Sequence, residues 1–390
     1  PENFLINDVV KSLKAKGHYI EVLTGIPNYP EGKFYEGYNF FNKHNETLEG
    51  VKINRARIFP RFSGNKIFLA LNYLSFVLFA SLRLMFMRGK FDKVFVFAPS
   101  PITVGIIGIL SARKYKAKSY LWVQDLWPES VKDAGNIKSK AVLGVLNTLT
   151  KLIYKYSNYI LIQSELFRDY IIDQGIENEK IKYLPNYADD IYKTVQEESE
   201  IKKLFEKTFS ITYAGNIGEA QNLEILIQSA KILKSKAVKV KFFIIGTGRR
   251  KLSLTSQVIE NDLQDYFEFL GRKNPSDMPK YLSSSKVVLI SLKKSKIFSL
   301  TIPSKLQAYM ASSKPILGSI DGITNDIIKK SNSGYVSDSE DVEGLVENII
   351  KFKSLDIRQL KNLSNNSRHY YDTNFSKNII IKRILDIINL

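Results

Sequence analysis

The chain has 390 residues, of which 44% are apolar, with 57 Lys and Arg against 39 Asp and Glu, a net charge of +18 and no cysteine. That length exceeds one small core and points to two domains. The missing cysteines exclude disulfides and thiolate metal sites, and the positive excess points to anionic partners, phosphates or an acidic lipid surface. Nucleic acid ranks last, because the lysines are spread over both halves and no aromatic-basic module occurs.

No secretory signal pattern opens the chain. Pro1-Glu2-Asn3 runs straight into an amphipathic stretch from Phe4 to Lys14 that reads as a helix, and an α/β chain beginning this way leads us to expect a first strand upstream. Short apolar runs then alternate with helical patterns, as in βαβ units. The first half offers strand candidates at 19–24, 52–58, 93–98, 119–124, 159–163 and 181–184, and the second half at 210–214, 241–246, 266–270, 286–292, 315–319 and 334–337. Two such sets predict an α/β fold of two doubly wound lobes, 1–186 and 187–375, with parallel sheets covered on both faces. The boundary is expected in 185–190, with the polar 196–203 stretch feeding the second lobe. Residues 376–390 read as a last helix packing back toward the first lobe, with Ile379, Ile380, Ile384, Ile387 and Ile388 near helical spacing.

One stretch stands apart. Ile67 to Leu82 holds sixteen uncharged, mostly apolar residues, with Arg55, Arg57, Arg61 and Lys66 before it and Arg83 and Arg88 after it. A membrane-spanning helix needs about 20 such residues, so this one is short. A buried helix of the first lobe and a surface that beds into an anionic bilayer both stand open, the second because basic residues flank an apolar face with Phe68, Tyr73 and Phe76.

Loops after strands carry ligands in doubly wound sheets. Asn28 and Tyr29 follow one strand, Ser100 another, and Asp125, Trp127 and Glu129 a third, where two carboxylates and an indole suit a hydroxyl nucleophile or a sugar ring. In the second lobe Gly215, Asn216, Gly218 and Gln221 follow one strand. Gly246 and Gly248 with Arg249, Arg250 and Lys251 follow the next, and Gly271-Arg272 a third. Glycines permit close backbone approach, and Asn216 and Gln221 are neutral donors. After the 286–292 run, Thr301-Ile302-Pro303-Ser304-Lys305 opens a helix carrying Leu306, Tyr309 and Met310, with Pro303 expected in its first turn. Free N–H groups at such a start, with Lys305 beside them, suit a phosphate or diphosphate. The 246–251 loop lacks the third glycine of a dinucleotide fingerprint and the Lys-Ser/Thr of a P-loop. His18, His44 and His369 sit in no catalytic pattern, and Asp-x-Asp, His-x-x-x-His and Gly-x-Ser-x-Gly are absent.

The phrases TGIPNYP (24–30), NYLSF (72–76), PSP (99–101), WVQDLWPES (122–130), AGNIGEAQN (214–222), GTGR (246–249), LGR (270–272) and TIPSKLQAYMA (301–311) together resemble bacterial GT-B-fold glycosyltransferases. They are most similar to the retaining family-four branch of O-antigen and capsule biosynthesis, including the WbuB-like amino-sugar transferases. The resemblance implies two lobes with a cleft between them, a nucleoside diphosphate sugar held by the C-terminal lobe, and an acceptor held by the N-terminal lobe near Asn28, Tyr29, Ser100 and Trp127. It assigns the diphosphate to Thr301, Ile302, Pro303, Ser304 and Lys305 with Arg249, and with Arg250 in support. Gly271 and Arg272 come beside the base, and Gly215, Asn216 and Gly218 face the transferred group. Relatives carry two glutamates eight positions apart, where this chain has Ser299 and Gln307; the latter can bond a ribose hydroxyl without a charge. Asn216 and Gln221 stand where many relatives have arginine and lysine.

The implied activity is metal-independent, hexosyl-type transfer of an N-acetylated deoxyamino sugar from a UDP-sugar, with no cofactor, to a polyprenyl-diphosphate-linked glycan. Asp125, with Glu129 second, orients or deprotonates the acceptor hydroxyl. The expected setting is the inner face of the plasma membrane, with an anionic membrane surface as partner and no nucleic acid. A UDP-sugar epimerase of GT-B fold and a non-enzymatic membrane protein that binds nucleotide sugars are the alternatives.

Overall fold

The computed structural model describes residues 4–29, 31–42, 44–62, 65–133, 137, 139–193 and 198–390; Pro1-Glu2-Asn3, Pro30 of the TGIPNYP loop and the start of the 196–203 stretch fall outside them. The chain divides into two compact units, 1–184 with 381–390, and 185–380.

In the first unit the strands are β1 (Glu21–Gly25), β2 (Asn45–Leu48), β3 (Val51–Ala56), β4 (Lys93–Ala98), β5 (Lys118–Val123), β6 (Tyr159–Ile162) and β7 (Ile181–Tyr183). They form two sheets, ordered β1-β3-β2 and β4-β5-β6-β7. β1 runs parallel to β3, with Glu21 opposite Lys52, and the second sheet is parallel throughout. The antiparallel β2 departs from the expected all-parallel lobe. It pairs with β3 through a turn at Glu49 and Gly50, both at positive φ, the conformation that matches strand twist in a tight hairpin. Asn45-Glu46-Thr47-Leu48 is a mostly exposed edge strand with one β-branched residue, so the sequence carries little strand signal there.

Helix Lys66–Phe86 is longer than the apolar run that announced it, and starts at Asn65, whose side chain accepts from the Phe68 N–H. It is not a core helix: of its 21 residues only Asn72, Ser75, Ala80 and Leu84 are buried. Gly105 and Gly108 let helix Val104–Tyr115 lie close to Ile153 of helix Lys140–Tyr156 and to Val96 of β4. The final helix, Lys377–Ile388, buries Ile380, Ile384, Ile387 and Ile388. Its end belongs to the first unit, where the Tyr120 hydroxyl donates to the Ile388 carbonyl at 3.1 Å.

The second unit holds β8 (Phe209–Ala214), β9 (Val240–Ile245), β10 (Phe267–Gly271), β11 (Val287–Ser291), β12 (Ile316–Ser319) and β13 (Gly334–Ser337). All are parallel, in the order β10-β9-β8-β11-β12-β13. Both faces are covered, and β11 shows how. Val287 and Leu289 enter the core with Leu226, Leu345 and Ile349, whereas Val288 and Ile290 face Leu306, Tyr309 and Met310. Alternate residues point to opposite faces, so a strand buried on both reads as one continuous apolar run. The order reverses between β8 and β11, which opens a crevice at their carboxyl ends.

Candidate functional site

The second unit presents one candidate site at that reversal. Ser295 caps a short helix, Lys296–Leu300, and Thr301-Ile302-Pro303 then leads into helix Ser304–Ala311. Pro303 is the cap of that helix rather than a first-turn residue, because its ψ of 139° is still extended. Ile302 is buried beneath this entry. Lys305 projects back over β8, with its Nζ 5.1 Å from the centre of the Tyr213 ring. A Cβ on Gly215 would come within 2.5 Å of Lys305 Cε, so glycine is what lets the lysine lie there. Burial pushes the Lys305 ammonium down to about 8.

Two tyrosines fix this corner. Tyr213 donates to the Asn216 carbonyl at 2.5 Å, and the Tyr309 hydroxyl accepts the Ala214 N–H at 3.0 Å. Burial raises both phenols, which keeps them neutral.

The glycine loops are stitched to one another. Gly246 N–H donates to Gly271 O at 2.8 Å, Ile217 N–H to Thr247 O at 2.9 Å, and Arg250 N–H to Ile217 O at 3.0 Å. A Cβ on Gly246 would overlap the Gly215 carbonyl, and one on Gly248 the Ile217 carbonyl. These two glycines therefore serve loop against loop, which corrects the expectation that they make room for a ligand. Gly271 differs, with φ of +69° and open space where a Cβ would stand. Gln221 Oε1 accepts from Asn216 Nδ2 at 3.3 Å and from Gly218 N–H at 3.1 Å, so it orients the loop from within.

Charge is distributed unevenly. Arg250, expected to help with a diphosphate, is bound through Nη2 and Nε to Glu224 at 2.6 and 2.8 Å, and its charge is already committed. Arg249 and Arg272 are exposed, and among the described residues neither has a carboxylate partner. Ser299 and Thr301 donate to the Lys296 and Ile297 carbonyls at 2.8 and 2.9 Å, and Ser304 is exposed. Gln307 is 1% exposed, and neither atom of its amide has a hydrogen-bond partner. The Ser291 and Ser319 hydroxyls, on register partners ending β11 and β12, are buried without partners too. Buried polar groups almost always find a hydrogen-bond partner, so these are groups that a ligand or water would satisfy.

The first unit has a candidate site of its own at the carboxyl ends of β1, β4, β5 and β6. Burial pushes the Asp125 carboxyl up to about 6, and its charge is felt by Tyr73 of helix Lys66–Phe86. Trp127 is 6% exposed, so its ring is a wall of the core rather than the platform for a sugar that its loop position had promised. Among the described residues its indole N–H has no acceptor, and the Ser130 hydroxyl, three residues on, is likewise unpartnered. Glu129 opens helix Glu129–Asp133, and its charge adds to the burial that pushes Tyr170 up to about 12. Asn28 is buried, with Nδ2 donating to Ile26 O at 3.2 Å and Oδ1 unpartnered. Tyr29 and Ser100 are exposed, and the Arg61 guanidinium lies 5.3 Å from the Tyr29 ring centre.

Three residues of this edge escaped the sequence reading: Thr103 Oγ1, Gln163 Oε1 and Ser164 Oγ are buried and unpartnered. The signal was there for two of them, since Gln163-Ser164 is a polar pair directly after the apolar β6. Among the described residues no group of three or more His, Asp or Glu side chains converges as a metal site requires.

Two α/β units, the second with its strand order reversing beside a lysine-bearing helix mouth, define the GT-B architecture. Residues 194–370 match the family described as Glycosyl transferases group 1, and the chain is a glycosyltransferase. It is 23% identical over 278 residues to the probable glycosyltransferase WbjE of Pseudomonas aeruginosa, covering 68% of this chain and 66% of that protein. It is 23% identical over 322 residues to the putative colanic acid biosynthesis glycosyl transferase WcaI of Escherichia coli K12, covering 78% of this chain and 76% of WcaI. Among solved structures, sucrose-phosphate synthase from Thermosynechococcus elongatus superposes with a TM-score of 0.77 at 13% identity, covering 100% of this chain and 93% of that one. Anabaena HepE, solved with UDP and glucose, superposes with a TM-score of 0.63 at 14% identity, covering 87% and 86%. At these identities the two structures speak for the fold.

Proposed function

We propose that the protein transfers an N-acetylated deoxyamino sugar from a UDP-sugar to a polyprenyl-diphosphate-linked glycan in surface-polysaccharide assembly, as a WbuB-like enzyme would. Transfer proceeds with retention and without metal, at the inner face of the plasma membrane. The observation that carries the reading is Lys305, a cation that has no carboxylate partner among the described residues and is sheltered against Tyr213 at the mouth of helix Ser304–Ala311. An anion arriving there meets a full charge, free helix N–H groups and the exposed Arg249, with little competition from water. The UDP bound by HepE and the colanic acid biosynthesis named for WcaI are in keeping with a UDP-linked donor and with polysaccharide assembly.

Breaking the anomeric carbon–oxygen bond leaves charge on UDP. Fixed donors aimed at that charge lower the barrier, because they need no reorganisation as it develops. Lys305 does this best: its ammonium is poorly solvated before the reaction and gains a counter-charge during it. On the acceptor side, Asp125 ionises near pH 6 and orients the attacking hydroxyl, or takes its proton, at neutral pH. The buried, unpartnered groups of Asn28, Thr103, Trp127 and Ser164 supply neutral donors and acceptors suited to sugar hydroxyls. Gln307 is the group for the ribose, and a ribose hydroxyl would satisfy its orphaned amide.

Mass spectrometry of products from a panel of UDP-amino sugars, with a lipid-diphosphate-linked glycan as acceptor, tests the reading. One donor should give a lipid-linked product one sugar heavier, with release of UDP. A new UDP-sugar isomer formed without acceptor would replace transfer by epimerisation, and UDP binding without any turnover would reduce the protein to a binding module.

A further inference from the structure

Helix Lys66–Phe86 is built inside out. Its inward face carries polar residues with partners: Asn72 Nδ2 donates to Phe59 O at 2.6 Å and Asn72 Oδ1 accepts from Arg61 Nε at 3.2 Å, while the Ser75 hydroxyl accepts the Phe59 N–H at 2.9 Å. Its outward face carries Ile67, Leu71, Leu74, Leu78, Leu82 and Met85, with Ile67 and Met85 70% and Leu74 64% exposed. At about 100° per residue, spacings of three and four keep all six on one stripe. A helix covered only by water would place these faces the other way round, and a contiguous exposed apolar strip marks a surface that something else covers.

We propose that this stripe beds into an anionic lipid bilayer, with the helix axis lying along the membrane plane. The charge pattern selects that occupant. From Arg55 to Phe91 the sequence has seven Lys or Arg and no Asp or Glu, and Lys66 and Arg88 bracket the stripe. A cationic margin around an apolar strip complements acidic headgroups above acyl chains. A second copy fits worse, because a two-fold pairing of this face would set its cationic margins against each other. A span fits worse too: 21 residues would cross about 30 Å of hydrocarbon, but the bonds from Asn72 and Ser75 tie the helix to its own unit. The inference rests on the peripheral setting proposed above and gives that setting a surface. Tyr73, on the same helix, senses the Asp125 carboxylate, so bedding would hold the acceptor site at headgroup depth.

Co-sedimentation with vesicles that contain neither donor nor acceptor tests this separately from transfer. The full chain should bind phosphatidylcholine vesicles carrying about 30% phosphatidylglycerol, bind phosphatidylcholine alone at least tenfold more weakly, and release as salt rises. The double variant Leu74→Glu/Leu78→Glu should lose tenfold or more, while Leu252→Glu, at a leucine 83% exposed in the second unit, should bind like the parent. Retained UDP binding and an unchanged melting temperature show that the double variant still folds. Equal vesicle binding by the stripe variant and its parent, or none by the parent, overturns the proposal. So does a concentration-dependent dimer of the parent that dissociates in the stripe variant, since the occupant would then be a second copy.

Discussion

The strand edges of the two units offer opposite chemistry. In the second unit the strand-end loops use glycine to pack against one another and turn Arg249 and Arg272 outward, while Lys305 lies sheltered against Tyr213 beside them. In the first unit the corresponding edge sets buried hydroxyls, amides and an indole, unpartnered among the described residues, beside Glu129 and the Asp125 carboxyl that burial pushes up to about 6. Charge without a partner awaits an anion, and neutral polar groups without partners await hydroxyls. Where the loops are tied together tightly, geometry should dominate a mutation; where the groups are loose or exposed, only chemistry should.

The largest effect should come from Gly246→Val. Its side chain would overlap the Gly215 carbonyl at a φ of +142°, so UDP binding should disappear and the melting temperature should fall. Gly271→Ala sharpens the comparison, since open space leaves only the left-handed backbone penalty of about 1–2 kcal/mol. Titration calorimetry with UDP separates the two; equal losses would mean that the loop contacts do not hold the site.

Next comes Lys305→Ala, which should lower kcat about a hundredfold or more, the effect of removing one fixed donor worth about 3 kcal/mol. The fold should not suffer. Shelter lowers the Lys305 pKa from 10.5 to about 8, so its protonation opposes folding; this penalty grows as pH falls through that window and is complete below 8. Denaturant melts at pH 7 should show the variant as stable as its parent or more so.

Asp125→Asn is expected to cost about tenfold or more in kcat/KM, within the range for general acid–base groups. The pH profile gives the finer test. Asp125 must ionise, so activity should rise through about pH 6, and donor binding should weaken above about pH 8 as free Lys305 loses its proton. Asp125→Asn should remove only the acid limb. Because its folded pKa is raised from 3.8, ionisation of Asp125 opposes folding as pH rises from 3.8 to 6, and the variant should melt higher at pH 7.

The smallest contrast lies between neighbours. Arg249→Ala should raise the KM for donor several-fold, whereas Arg250→Ala should change it little, because Glu224 already holds that guanidinium and an exposed pair contributes about 0–1 kcal/mol. Reversal of that order would move the diphosphate to the Glu224 side of the loop.

Much of this was legible in the chain. Buried parallel strands such as Val287–Ser291 are continuous apolar runs, and Thr301-Ile302-Pro303-Ser304-Lys305 stops a loop and starts a helix through local rules. Two of the errors were of one kind. Gly246 and Gly248 looked like ligand-facing glycines, yet the atoms they make room for belong to a loop some thirty residues earlier in the chain. Trp127 looked available because it sits in a loop, and only packing showed its ring inside. β2 was missed because an exposed edge strand needs no apolar alternation.

By itself, then, the sequence determined the alternation of strands and helices, the excess of positive charge and the start of helix Ser304–Ala311, since each depends on residues within a turn or two of one another. Tertiary structure alone decided that Lys305 would rest against Tyr213, that Asp125 would be sheltered enough to titrate near 6, and that the leucines of helix Lys66–Phe86 would face outward. Those outcomes depend on which distant segments exclude water from a side chain, and no local pattern encodes that.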